Sequence, residues 1–593
     1  MVDFLVVQGL TALALGLWVV RFWVAPHHRI LWPPICWAVM AFVLYALWRY
    51  RQAPVEYVAR LEMVRVLTYG ALFFLVLNNL HRQETTQTLV NVLLFLGMLI
   101  SLYAAYQFLT GSPHVWTFTK PVLYFGRASG TYICPNHLAG FLELLLPVSI
   151  AAVFLGKAGH AMRVVYVYIA LTMLAGIGMS ISRGGWAATG VALVVMFGFL
   201  ARYRSHRKAA LIALLLLAAS VFVFMREADR PQKRFARMLV PGQPEDASIR
   251  PALWSAAYAM WTDHFWWGVG PGHYDVEFPL YRSPMVQARP QWAHNDYLNA
   301  LADWGTVGGG VILAALVCLA LGVSKTWKFV HRGPNDLVSK RSDRAAEVLG
   351  MAMGLLALLI HSAVDFNMQV PANAIVAVVL MANLTSHLRF ATDNYWVKPR
   401  LVGRLLATVV GGVAVAYLGQ QWVVRWRETA CLRRATAAKD FAGKVAGWRD
   451  AYAIEPANPQ TPASIGEAYR LLSWEGNDGY QIAATYAAEW FDVALRLDPL
   501  DVTSVVRRGM CLDWLGQLTQ GDLAFKRALQ LDPNNYWVVA LEGWHALQKG
   551  DYPAAQVWFK RSISLNWYRN SLAYSYLAIV QRRLQEEAAR RPR

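Results

Sequence analysis

Long apolar segments alternate with short polar ones along the first 425 residues. Each apolar segment approaches the twenty or so residues that a helix needs to cross the hydrocarbon core of a bilayer. The pattern therefore predicts an all-α membrane domain over residues 1–425. Twelve spans are predicted, at about 3–24, 31–49, 61–80, 88–110, 137–156, 161–182, 184–201, 209–225, 298–324, 346–364, 370–388 and 402–422.

Composition supports this class. Of 593 residues, 56% are hydrophobic and 16% are charged, whereas soluble domains are about one quarter charged. The net charge of +19 would suggest nucleic acid in a soluble protein. Here the basic residues gather in short loops between apolar segments, so they indicate topology and no nucleic-acid partner.

Three basic loops, 202–208, 325–344 and 389–400, are predicted to be cytoplasmic. Loops 111–136, 182–185, 226–297 and 365–369 then lie on the opposite face, which is periplasmic in a bacterial inner membrane. The same count puts Arg49, Arg51 and Arg60 outside, against the rule, and leaves the side of the N-terminus open.

The two ends of the chain differ in character. The first apolar segment has neither the basic start nor the cleavage site of a signal peptide, so it is interpreted as the first span. Beyond residue 425 the charge density rises, and ALRLDP at 494–499 recurs as ALQLDP at 528–533. A 34-residue period is typical of tetratricopeptide repeats, which stack into an α-solenoid. Residues 435–585 are predicted to form three to four such repeats in the periplasm and to recruit a protein partner; the alternative is a solubilising tail.

Arg183 stands between two apolar segments, in ISRGGWAATG. An arginine at that depth is costly unless it is used, although a side chain that reaches the interface is the simpler alternative. Loop 226–297 adds many more arginines, and a guanidinium binds phosphate well because it offers a planar fork of donors. Contact with lipid headgroups is the alternative. Within this loop, 249–274 is predicted to form a short amphipathic helix and a glycine-rich turn, with Arg250 at the start of the helix.

His294 precedes a span in AHNDYLNALADWG, beside Asn295 and Asp296. A histidine near neutral pKa is a natural general base, while a structural role is the alternative. Two further polar segments fall on the same predicted face, HSAVDFNMQVPAN with Asp365 and FGRASGTYICPNH with Arg127 and Asn136. A carboxylate as deep as Asp365 needs a partner, for which one of the arginines is a candidate. The histidines and five cysteines show no metal-ligand spacing, and no nucleotide-binding motif is present.

Five segments in this order are similar to the bacterial O-antigen ligase and O-antigen polymerase family. They are GRASGTYICPNHLAGFL, SRGGWAATG, RPALWSAAYAMWTDHFWWGVGPGHY, AHNDYLNALADWGTVGG and HSAVDFNMQVPAN. The resemblance covers about 125–385, and the C-terminal repeats resemble a subset of the family. It implies a multi-span transferase that takes a glycan from undecaprenyl pyrophosphate and needs no metal or nucleotide.

By position, the resemblance implies that Arg183 and Arg250 hold the pyrophosphate and that His294 is the base. Supporting contacts are expected from Arg127, Asn136, Asn295, Asp296 and Asp365. Asp303 stands where many relatives have Glu and receives no role.

The expected reaction is a metal-independent, inverting transfer to an acceptor hydroxyl. The acceptor stays open between a lipid A core sugar, another lipid-linked glycan and a protein side chain. A non-catalytic scaffold or transporter that binds anionic lipid is the alternative from another class.

Overall fold

The structure is a computed structural model that describes residues 2–25, 29–80, 82–227, 249–331 and 341–590. It is almost entirely helical, and each predicted span overlaps a helix. The helices of the membrane domain are α1 Val2–Val24, α2 Ile35–Tyr50, α3 Glu56–Asn79, α4 Gln83–Thr110, α5 Pro135–Leu155, α6 His160–Met179, α7 Arg183–Ala201, α8 Arg207–Glu227, α9 Ile249–Asp263, α10 Tyr274–Glu277, α11 Asp296–Val330, α12 Asp343–Ser362, α13 Pro371–Ser386 and α14 Leu401–Ala437.

Ten of these helices, within the described residues, are long and apolar enough to cross a membrane. The chain is therefore a multi-pass membrane protein. Helix α2 is shorter, with 16 residues, and α8 is not among the ten. The total of twelve spans stays a prediction.

Strands contribute little to the described fold. Two antiparallel pairs of two-residue strands occur: β1 Ile30–Leu31 pairs with β4 Trp396–Val397, and β2 His114–Val115 pairs with β3 Phe118–Thr119.

Helices α5 and α12 form the centre of the bundle, and glycines bring their backbones together. A Cβ atom on Gly350 would lie 2.5 Å from the Cα of Val148, and one on Gly354 would lie 2.1 Å from the carbonyl oxygen of Leu144. Small residues at such crossings are typical of membrane helix pairs. The close contact also carries polar side chains of the two helices into each other's reach.

The predicted span at 298–324 is part of a longer helix with a break. Helix α11 contains Gly305 in a non-helical conformation, with φ of +64°. A Cβ atom there would lie 2.4 Å from the carbonyl oxygen of Trp266. Only glycine fits this conformation and approach without strain. The break therefore lets loop 226–297, here named the outer loop after its predicted side, pack against the start of α11.

Two of the three arginines that contradicted the topology rule make contacts within the protein. Arg49 donates to the carbonyl oxygen of Gly268 in the outer loop at 3.0 Å. Arg60 pairs with Glu455 of the C-terminal domain at 2.8 Å. Both therefore lie at the end of the bundle that carries the outer loop, and their pairing explains why basic residues occur there.

Eight helices follow the membrane domain: α15 Phe441–Ile454, α16 Gln460–Trp474, α17 Tyr480–Leu497, α18 Val502–Trp514, α19 Leu518–Leu531, α20 Tyr536–Gln548, α21 Tyr552–Leu565 and α22 Ser571–Arg590. A glycine of one helix packs against a phenylalanine of the next in the pairs Gly466–Phe491, Gly509–Phe525 and Gly543–Phe559. The phenylalanines keep the 34-residue step, whereas assignment to tetratricopeptide repeats stays a prediction. Helix α14 crosses the expected boundary without interruption, and Ala435 near its end packs against Gly447 of α15.

Candidate active site

Asp365 lies at the centre of the candidate site, in the turn between α12 and α13, and its side chain is buried. Its Oδ2 accepts a hydrogen bond of 2.8 Å from Asn136 and lies 3.7 Å from Nη2 of Arg250. Its Oδ1 lies 3.5 Å from Nδ1 of His294. Burial alone would raise the pKa of Asp365, but His294, His361 and Arg250 lower it below the usual range. Asp365 is therefore a permanent anion that gathers polar groups from four segments.

Arg127 extends this network from the loop before α5. Its Nη2 donates to Oδ1 of Asn136 at 2.7 Å, and its Nε donates to the carbonyl oxygen of Ser180 at 2.9 Å. The amide of Asn136 is thus oriented from one side by Arg127 and from the other by Asp365. Arg250 is held in the same way, because its Nη1 donates to the carbonyl oxygen of Val364 at 2.6 Å.

His294 sits in a strained conformation immediately before α11. Its φ is +52°, which is rare for a residue with a side chain. Trp254 donates to its carbonyl oxygen at 3.3 Å, and Phe366 packs edge-on against its ring at 4.6 Å. The imidazole is partly exposed, unlike the buried Asp365 beneath it. Strain of this kind persists only where the surroundings hold it, and it is concentrated at functional sites.

Asn295 and Asp296 attach the start of α11 to the neighbouring turn. The side-chain oxygen of Asn295 caps α11, and its nitrogen donates to the carbonyl oxygen of Ala363 at 2.9 Å. Asp296 accepts hydrogen bonds from Ser362 Oγ at 2.7 Å and from the backbone N–H of Met368 at 3.0 Å. Neither residue lines the cavity that contains His294, so their contacts position His294 from outside this cavity.

A cavity of about 360 Å³ brings most of the expected residues together. Arg127, Asn136, Arg183, Arg250, His294 and Asp365 all line it. Arg183 enters at the first turn of α7, where Ser182 caps the helix by accepting from the N–H of Gly185 at 3.3 Å. No ion-pair partner within the described residues contacts the Arg183 guanidinium, in contrast to Arg250. His294, the Arg183 guanidinium and the oriented guanidiniums of Arg127 and Arg250 thus surround a single space.

Residues 168–313 match the family described as O-Antigen ligase. This segment matches an O-antigen ligase domain. It includes Arg183, Arg250 and His294, and it ends before Asp365. The match supports lipid-linked glycan transfer in general. A search of curated proteins found no match.

Two arginines of loop 226–297 lie away from the cavity. Arg282 pairs with Asp532 at 2.8 Å, with both side chains buried. Arg289 lies 3.4 Å from Asp275. Arg282 joins loop 226–297 to the C-terminal helices, and Arg289 pairs within the loop, so the basic character of this loop is not by itself a ligand signal. Arg230, Lys233, Arg234 and Arg237 lie outside the described residues.

Asp303 binds the loop after α9. Its Oδ1 accepts from the N–H of Tyr274 at 2.8 Å, and its Oδ2 accepts from Asn299 at 2.9 Å. It does not line the cavity. These contacts are those of a residue that fixes a loop.

The sequence patterns did not indicate two residues of the site, His361 and Glu143. His361 lines the cavity and lies 3.0 Å from Glu143, which is buried in the middle of α5. In the segment HSAVDF, only Asp365 was predicted to belong to the site. The available signal was Glu143 itself, because a carboxylate inside an apolar span needs a partner.

A second, larger cavity of about 1000 Å³ lies between α3, the outer loop and the C-terminal helices. One short stretch forms a wall of both cavities. Ala288, Pro290 and His294 line the small cavity. Arg289, Gln291 and Trp292 line the large one. The two spaces are therefore separated by the chain segment that carries His294.

Proposed function

We propose that this protein transfers a glycan from undecaprenyl pyrophosphate to an acceptor hydroxyl at the periplasmic face of the bacterial inner membrane. The observation that carries the proposal is the cavity of about 360 Å³ lined by Arg183, Arg250, His294 and Asp365. The family match supports lipid-linked glycan transfer in general. The donor, the inverting course and the individual roles are the proposal.

Arg183 and Arg250 stabilise the diphosphate leaving group. Cleavage of the bond between the anomeric carbon and the diphosphate oxygen leaves negative charge on that oxygen. Two guanidiniums near this charge stabilise it more in the transition state than in the ground state, which is the requirement for catalysis. Arg183 is unpaired within the described residues and therefore available, while Arg250 keeps one contact with Asp365.

His294 serves the acceptor. Asp365 lies on the Nδ1 side of the ring, 3.5 Å away, and this favours a proton on Nδ1 and a free lone pair on Nε2. Nε2 takes the proton of the acceptor hydroxyl as its oxygen attacks the anomeric carbon. The carbon–diphosphate bond breaks on the opposite side, so the anomeric configuration inverts. The proton remains on His294 until solvent removes it.

We assign the acceptor to the large cavity. Arg289, Gln291 and Trp292 line it, so an acceptor bound there lies against the segment that carries His294. The lining includes Trp292, Trp448 and several carboxylates. Aromatic faces and carboxylates are groups that bind sugar rings and their hydroxyls.

The test is transfer by the purified full-length protein in lipid nanodiscs. The donor is an oligosaccharide on undecaprenyl pyrophosphate, and three acceptors are offered separately: lipid A core, a second lipid-linked glycan and an acceptor protein. Transfer to one of them identifies the protein as ligase, polymerase or protein glycosyltransferase. Analysis of the product linkage tests inversion.

His294→Ala is expected to lower turnover by about 10²–10⁴-fold, the usual contribution of a general base. The matched control is His264→Ala, since His264 is an exposed histidine of the same outer loop that does not line the cavity. Undiminished transfer by His294→Ala would refute the catalytic role. No transfer to any acceptor by the wild-type protein would favour the scaffold or transporter alternative.

A further inference from the structure

His361 and Glu143 form a polar pair inside the helix bundle. Nδ1 of His361 lies 3.0 and 3.1 Å from the two carboxylate oxygens of Glu143. Glu143 is fully buried and His361 is 1% exposed. Burial of such a pair costs free energy even when the two groups neutralise each other. A pair retained at this depth is a candidate for function.

The other ring nitrogen of His361 is open. Nε2 has no hydrogen-bond partner in the part of the chain that the structure describes. Two other buried histidines differ in this respect. His387 contacts Glu347 and the carbonyl oxygen of Asn383, at 2.9 and 2.8 Å. His545 contacts Asp513 and Asp522, at 2.7 and 2.8 Å.

The open nitrogen lies beside the first turn of α7. A Cβ atom on Gly184 would come within 2.7 Å of Cδ2 and 2.8 Å of Nε2 of His361. Gly184 follows Arg183, and both residues line the cavity together with His361. The N–H groups in the first turn of a helix lack partners within the helix and attract anions. An imidazole nitrogen, a guanidinium and a helix N-terminus therefore meet at one end of the cavity.

We propose that His361, held by Glu143, is a further ligand of the diphosphate, with Nε2–H donating to a phosphate oxygen beside Arg183. Glu143 accepts from Nδ1–H, so it fixes the ring and favours the imidazolium form that donates from both nitrogens. His294 then serves the acceptor and His361 the leaving group. This assignment rests on the proposed function for the identity of the anion.

The absence of a side chain at 184 fits this role. Any Cβ atom at this position would push against the edge of the ring that carries Nε2. Glycine lets the helix N-terminus and the imidazole approach the same anion. The sequence SRGG thus supplies a guanidinium and the space for a histidine from another helix.

The experiment measures binding of inorganic pyrophosphate to the full-length protein in nanodiscs by calorimetry, without any turnover. We expect His361→Leu to weaken binding by roughly 10- to 100-fold, the loss of one hydrogen bond to a charged group. His361→Gln should recover part of the affinity, since its amide can donate. Glu143→Gln should weaken binding less than His361→Leu, because the ring remains.

The matched control is His387→Leu. It removes another buried histidine–glutamate pair from the same bundle, away from the cavity. It should lower stability without changing the affinity for pyrophosphate. If His361→Leu fails to fold, the pyrophosphate affinities of Glu143→Gln and His361→Gln test the proposal instead.

Equal pyrophosphate affinity in wild type and His361→Leu would overturn the proposal, as would the absence of saturable binding by the wild type at millimolar concentration. Lost transfer with unchanged binding would also overturn it and place His361 on the acceptor side. Weakened binding in a protein that transfers no glycan would leave the anion site standing and refute the proposed function alone.

Discussion

The buried ion pair between Arg282 and Asp532 makes the C-terminal domain a support for the candidate active site. Their Nε and Oδ1 atoms are 2.8 Å apart. Arg282 also donates to the carbonyl oxygens of Val286 and Ala288 at 2.9 and 2.8 Å. Residues 285–288 and 290 line the small cavity. The pair therefore joins the C-terminal domain to a wall of the site.

Asp532→Ala is expected to release this wall. Removal of one partner from a buried ion pair costs about 3–5 kcal/mol, because the other charge stays buried without compensation. Arg282 retains two carbonyl acceptors, so we expect Asp532→Ala to cost about 3 kcal/mol, the lower end of this range. That free energy corresponds to a roughly 100-fold larger equilibrium constant for local opening of segment 282–292. Substrate binding should weaken more than turnover, since no reacting group is removed.

Hydrogen exchange of the full-length protein in nanodiscs measures this opening. Amides of 282–292 should exchange roughly 100-fold faster in Asp532→Ala. The double variant Arg282→Met, Asp532→Leu should be less affected than Asp532→Ala, because neither charge is left alone. Glu586→Ala is the control, since it breaks an exposed pair with Arg583 and should change little. Unchanged exchange of 282–292 in Asp532→Ala would show that the pair does not hold the wall.

Three further outcomes are expected. Burial raises the pKa of Asp498 to about 6, so the folded state holds a proton that the unfolded state loses above about pH 4. Asp498 should therefore lower the unfolding free energy by up to about 1.4 kcal/mol per pH unit from pH 4 to 6, and Asp498→Asn should remove that contribution to the slope in thermal unfolding. Gly305→Ala should lower the unfolding temperature and expose the outer loop to protease, because its Cβ would lie 2.4 Å from the carbonyl oxygen of Trp266; an unchanged protease pattern would contradict this. Asp365→Asn keeps an acceptor for Asn136 but removes the negative charge, so turnover should fall on the order of 10²-fold; wild-type turnover would exclude an electrostatic role.

Much of the fold and part of the site could be predicted from local patterns. Apolar length located the helices, because backbone groups in lipid must be satisfied within each span. The 34-residue period located the phenylalanines that pack on glycines. Polar residues at the ends of apolar segments pointed to Arg183, His294 and Asp365, and the structure places all three on one cavity.

Other features depend on contacts between distant segments. The partner of Arg282 lies 250 residues away, and no local pattern distinguishes an arginine that binds phosphate from one that joins two domains. Arg49 and Arg60 depart from the rule that basic residues gather in cytoplasmic loops. The groups that they contact are far away in the sequence, so no local pattern explains them. Glu143 and His361 are 218 residues apart, and their approach follows from glycines that let α5 and α12 touch.

The sequence by itself thus determined where the long apolar helices lie, where the 34-residue period falls, and which polar residues are candidates for chemistry. These properties depend on hydrophobic length and on residues close in the chain. Only the tertiary structure decided which candidates share a cavity, that Arg282 and Asp303 hold loops, and that His361 presents an open nitrogen beside Arg183. Those properties depend on helix packing, because a side chain's partners are set by the helices that surround it and not by its neighbours in sequence.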